Sequence, residues 1–91
     1  MLSIIAHQVF AEIMGISCSD DPLARRRGEA EKRIVLLKID LKSARHEPGV
    51  SDDLENNLAR HLQEALNNHE LPGEQRLIFV AALDALRGSK G

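Results

Sequence analysis

The segment from Leu77 to Leu86 constrains the fold of this chain most, because nine of its ten residues are apolar. At 100° per residue, these side chains spread around the whole circumference of a helix, and only Asp84 interrupts them. Such a helix must be covered on several sides. A domain of this size buries only about 60 to 65% of its unfolded surface. We therefore expect a partner or a second copy of the chain to complete the cover.

The composition predicts one globular soluble domain over residues 1–91, with 43% apolar and 29% charged residues. Phe10 and Phe79 are the only aromatic residues, so the core must be aliphatic, which favours helix packing over a twisted sheet. The formal net charge of −2 gives no overall attraction to nucleic acid or to an anionic membrane. These numbers predict an all-α domain.

The single cysteine and the apolar N-terminal segment indicate in which cellular compartment the protein is found. Cys18 is alone, so an intramolecular disulfide is excluded and a reducing compartment fits. The segment from Met1 to Met14 has no basic residue in front and contains His7, Gln8 and Glu12, unlike a signal peptide. No run reaches the roughly 18 apolar residues of a membrane span. We expect a cytoplasmic protein without membrane contact.

Apolar spacing and chain breaks predict four helices. Gly15 is the expected stop of the first, the residues from His46 to Gly49 separate the second from the third, and Gly88 ends the fourth. Short connections favour antiparallel orientation of consecutive helices. The predicted fold is a compact, dimeric four-helix domain, with helices near residues 2–14, 23–45, 52–68 and 74–87.

The second helix carries apolar residues on two sides. A heptad-like seam is formed by Ala30, Ile34, Leu37, Leu41 and Ala44. Three further apolar residues project about 120 to 180° away from this seam. They need their own cover or form an adhesive surface. These residues are Val35, Leu36 and Ile39.

The last helix also divides into two sides. Phe79 and Leu83 lie about 40° apart, away from Leu77 and Ala81, so one set faces the domain core and the other a second subunit. We assign Phe79 and Leu83 to the interface, together with the second patch of the second helix.

Arg25, Arg26 and Arg27 form the densest basic patch, which suits an acidic partner surface or a phosphate. One alternative is that Arg25 and Arg27 make ordinary surface pairs with the glutamates four residues later. Another is that Gly28 interrupts the helix and leaves the arginines in a lead-in segment. We predict that the three arginines contact a partner and steer its approach.

Asp84 is the one charge in the apolar helix, and a charge in a buried helix must be paired or lie at an edge. Arg87, one turn later, is the simple partner. A deeper pairing with Arg60 or Arg76 is the alternative, and it would mark a site that sets function or specificity.

The sequence predicts neither a catalytic nor a metal site, and no cofactor. No HExxH motif, paired CxxC or phosphate-binding glycine loop occurs, and no Glu stands three residues before a His. His61 and Glu64 are one turn apart, which is typical of a surface hydrogen bond. The groups available for such chemistry are His7, His46, His61, His69 and Cys18.

DNA binding by a helical regulator is the alternative function. A recognition helix must present several basic or amide side chains to bases and phosphates. Only the second helix does so, and Glu29, Glu31 and Asp40 interleave with its basic residues. Nucleic acid is therefore the less favoured partner. The leading prediction is a small protein–protein interaction module, a homodimeric regulator, adaptor, inhibitor or chaperone without catalytic activity.

Overall fold

Apolar residues at helical spacing form four helices in the computed structural model, which describes residues 2–43 and 50–88. Across these two ranges the chain contains no β-strand. The all-helical, four-helix part of the prediction is therefore confirmed. The helices are α1 (Leu2–Ser17), α2 (Leu23–Ser43), α3 (Val50–Leu66) and α4 (Gly73–Leu86).

α1 continues beyond its predicted stop. Gly15 is helical, and the helix ends at Ser17. Ile16 packs against the core, and the Ser17 hydroxyl donates a 2.7 Å hydrogen bond to the carbonyl oxygen of Met14. These contacts outweigh the low helix propensity of glycine, which costs about 1 kcal/mol. The predicted end near residue 14 is wrong for this reason.

α2 begins at Leu23 as predicted and passes through Gly28 without a break. The arginines before Gly28 are therefore helical, and the idea of a separate lead-in segment is wrong. The last two residues of the predicted second helix and the break from His46 to Gly49 lie outside the described residues. The bounds of α3 and α4 differ from the prediction by one or two residues, which is the usual variation at helix ends.

Side chains and one glycine organise the connections. In the turn between α1 and α2, which we call the first turn, the backbone N–H of Asp21 donates a 3.0 Å hydrogen bond to the Ser19 hydroxyl. After α3, the Arg76 guanidinium donates to the carbonyl oxygens of Leu66 and Asn68, which satisfies acceptors left free where the helix ends. Gly88 follows α4 with a φ of 76°, the left-handed conformation that glycine adopts most easily.

One apolar cluster is shared by all four helices. The predicted seam of α2 is confirmed where it is described, since Ala30, Ile34 and Leu37 are buried and Leu41 packs at the edge. The aromatic rings of Phe10 and Phe79 stack in this core with centroids 5.7 Å apart. α3 contributes an apolar stripe at helical spacing, of which Leu54, Leu58 and Leu62 are fully buried.

α2 packs mainly against α4, and α3 packs mainly against α1. Arg26 near the start of α2 contacts Glu74 at the start of α4, while the Lys38 ammonium lies beside Gly88 after the end of α4. The two helices therefore lie side by side over most of their length and present a joint outer surface. The antiparallel orientation of consecutive helices and the single domain over 1–91 stay predictions.

Candidate protein-binding surface

Five large apolar side chains remain exposed on α2 and α4, and we call them together the α2–α4 surface. Their exposed fractions lie between 39 and 52%. The α2 members are the patch opposite the core seam, which the helical spacing predicted. The surface consists of Val35, Leu36, Ile39, Leu77 and Val80.

A groove of about 470 Å³ joins the two helices within this surface. Val35 from α2 and Leu77 and Val80 from α4 line it, together with Ala81 and Ala85. Three charged residues lie along the same groove: Arg27, Glu31 and Asp84. An apolar centre with charged residues beside it is the usual composition of a protein interface.

Phe79 and Leu83 require a correction, because we predicted that they face a second subunit. Phe79 is 0% exposed and Leu83 is 7% exposed, and both belong to the core of a single chain. Leu77 and Val80, on the other side of α4, are the exposed members. Helical geometry separates the two sides but does not say which one faces inward, and the docking of α4 onto α1 and α3 decides it. One signal in the sequence favours burial of the Phe79 side: a phenyl ring removes a large apolar area from water when it is buried.

Arg26 also requires a correction, because it is buried and its hydrogen bonds are made within the chain. Its guanidinium donates to the carbonyl oxygen of Asp21 at 2.7 Å and to that of Ser17 at 3.0 Å. It also pairs with the Glu74 carboxylate. Arg26 therefore connects the end of α1, the first turn and the start of α4, and it does not offer its charge to a partner.

Arg25 and Arg27 remain exposed on either side of Arg26. The Arg25 side chain lies 3.8 Å from the Glu29 carboxylate, one turn along α2, as the surface-pair alternative predicted. Arg27 lines the groove of the α2–α4 surface together with Glu31. The three arginines thus do not form one patch, and only Arg27 belongs to the candidate binding surface.

Asp84 is exposed in this groove, so it lies at an edge of the apolar helix. The two partners considered for a deeper pairing are engaged elsewhere. Arg60 donates a 2.8 Å hydrogen bond to the side-chain oxygen of Asn57, and Arg76 binds the carbonyls that end α3. The carboxylate of Asp84 therefore faces solvent and any partner that enters the groove.

The histidines and Cys18 form no group of three or more metal-binding side chains within the described part of the chain. Cys18 is exposed in the turn after α1. His7 and His61, on different helices, lie close together with ring centroids 6.0 Å apart. Their proximity depends on the packing of α1 against α3, which the sequence spacing does not reveal.

Within residues 2–43 and 50–88, no helix combines the length and apolar character needed to cross a membrane. Comparison of the chain with protein-family models, with curated proteins and with solved structures finds no match.

Proposed function

We propose that the protein acts through protein–protein contact, as a cytoplasmic homodimeric regulator, adaptor, inhibitor or chaperone without catalytic activity. The observation that carries this proposal is the α2–α4 surface, where five large apolar side chains on two adjacent helices remain in water. Contiguous exposed apolar patches on small proteins typically mark interaction sites. Their burial against a partner supplies the main driving force for association.

A second copy of the chain is the partner that fits this surface. In a two-fold symmetric dimer the same patch lies on both subunits, so it must complement itself. The groove carries positive Arg27 together with negative Glu31 and Asp84. Both signs are thus present on one surface, and two copies can place opposite charges against each other. A surface with a single sign of charge would repel its own copy.

The exposed arginines add to this proposal in different ways. Arg27 lies in the groove, so in the proposed dimer it faces an acidic group of the second copy. Arg25 lies outside the groove and already forms an ion pair with Glu29. It therefore affects the rate at which a partner approaches rather than the stability of the bound complex.

DNA binding by a helical regulator gains no support from the arrangement of α2. Arg26 is occupied by contacts within the chain, and Arg25 lies beside a carboxylate. Neutralisation of phosphates needs several free cations on one face. A salt-dependent gel shift that disappears in an Arg25→Gln, Arg27→Gln double variant would favour this alternative over the homodimer.

Sedimentation equilibrium across the micromolar range tests the proposal. We expect a dimer, and we expect Ile39→Lys and Val80→Lys each to raise its dissociation constant at least tenfold, which is about 1.4 kcal/mol. A charge placed on either helix of the surface must be desolvated when the dimer forms. Both substituted positions are exposed, so we expect the monomer to keep its fold, and circular dichroism checks this.

Ile4→Lys is the control, because Ile4 is an apolar residue on α1 that is 58% exposed, against 52% for Ile39 and 39% for Val80, and it lies outside the α2–α4 surface. It should leave the dissociation constant unchanged. A wild-type chain that stays monomeric at high concentration contradicts the homodimer. A dimer that responds to Ile4→Lys but not to the α2 and α4 variants places the interface elsewhere.

A further inference from the structure

His7 of α1 and His61 of α3 place two imidazole rings next to each other at the surface. Their ring centroids are 6.0 Å apart and their planes are inclined by 78°. His61 also contacts Phe10, with centroids 5.7 Å apart, and this contact orients its ring from the side of the core. The pair is thus formed by two helices that pack directly on each other.

Both rings are accessible from solvent. His7 is exposed, His61 is half-buried, and with Ile4 and Gln8 they line a shallow depression of about 550 Å³. Among the hydrogen bonds and ion pairs of the described side chains, none involves either imidazole. The ring nitrogens are therefore free to bind a ligand that enters from water.

The separation of the rings suits a shared metal ion. A Zn–N bond is about 2.0 to 2.1 Å long, so the metal lies about 3.2 Å from the centre of each ring. Two rings at the tetrahedral angle that Zn²⁺ prefers then have centroids about 5.2 Å apart. The observed 6.0 Å is close to this separation. His7 is exposed, so a change of its rotamer can close the difference.

We propose that His7 and His61 form a binding site for a divalent transition-metal ion, with Zn²⁺ as the probe that defines it. Imidazole nitrogens suit Zn²⁺, Ni²⁺ and Cu²⁺ rather than Mg²⁺ or Ca²⁺. No third His, Cys, Asp or Glu joins the pair in the described ranges, so water completes the coordination shell. The bound ion connects α1 to α3, and because the site exists only in the folded chain, it stabilises the fold.

Thermal unfolding of the full-length chain with and without Zn²⁺ tests this site. The measurements use a Cys18→Ser background, because the exposed thiol is a competing ligand. At ten times the dissociation constant, the ion favours the folded state about elevenfold, which raises the Tm by several degrees. His7→Asn and His61→Asn should each abolish the rise, and calorimetry should find one Zn²⁺ per chain.

His69→Asn is the control, since His69 is an exposed histidine in the turn between α3 and α4. It should retain the full zinc response. A parent chain whose Tm does not rise with Zn²⁺ overturns the proposal, and so does a rise that persists in His7→Asn. Because His7 is exposed, its variant keeps the test decisive even if His61→Asn disturbs the packing around Phe10.

Discussion

Three adjacent arginines in α2 occupy three different environments. Arg25 lies on the surface beside Glu29. Arg26 is buried and donates hydrogen bonds to carbonyl oxygens at the end of α1 and in the first turn. Arg27 lines the groove between α2 and α4. Successive residues of a helix point about 100° apart, so three neighbours cannot share one face. Their sequence predicts a basic patch, but the position of the core relative to α2 gives each arginine a separate role.

Arg26→Met is expected to lower the free energy of unfolding by about 2 to 4 kcal/mol, because it leaves two carbonyl oxygens and the Glu74 carboxylate without their donor. Methionine retains an apolar stem of similar length. Arg25→Met is the control and should change the free energy by no more than about 0.5 kcal/mol. Urea unfolding measures both, and equal effects would show that the buried bonds contribute no net stability.

Among the secondary-structure elements, glycine has different structural roles at different positions. Gly15 and Gly28 lie inside helices, whereas Gly88 ends α4 with a φ of 76°. The local sequence around Gly15 predicts a helix end, but the partly buried Ile16 and the buried Ser17 extend α1 beyond it. Helix ends are therefore only partly predictable from sequence, because packing of one or two further residues is enough to move them.

Gly28→Ala should raise the free energy of unfolding by about 0.5 to 1 kcal/mol, since alanine loses less conformational freedom in a helix. An added Cβ at this position meets no atom within 4 Å. Gly88→Ala is the matched opposite case and should lower the free energy by about 1 kcal/mol, because its φ is unfavourable for an L side chain. Chemical denaturation would contradict the argument if both substitutions shifted stability in the same direction.

At the scale of the whole molecule, the docking of α4 onto α1 and α3 determines which surface stays exposed. It buries the Phe79 side of α4 and leaves the Leu77 side in water next to the exposed patch of α2. The two-sided apolar character of both helices is visible in the sequence. The assignment of the two sides of α4 to core or surface is not, since it depends on contacts between residues far apart in the chain.

Phe79→Ala should therefore lower the free energy of unfolding of the monomer by about 3 to 5 kcal/mol, through lost burial and a cavity in the core. Leu77→Ala should change it by less than about 1 kcal/mol, because the side chain is half in water. Both variants are to be measured at a concentration below dimer formation. If Leu77→Ala proved as costly as Phe79→Ala, the Leu77 side of α4 would belong to the core of the chain.

The amino-acid sequence alone predicts four helices, the buried seam of α2 and the exposed patch at Val35, Leu36 and Ile39. These features follow from the spacing of apolar residues, which is a local property with the period of the helix. The folded structure is needed to show that Phe79 and Leu83 lie in the core, that Arg26 connects three segments, and that His7 lies beside His61. Each of these depends on how separate helices pack, and the period of one helix carries no information about the position of another.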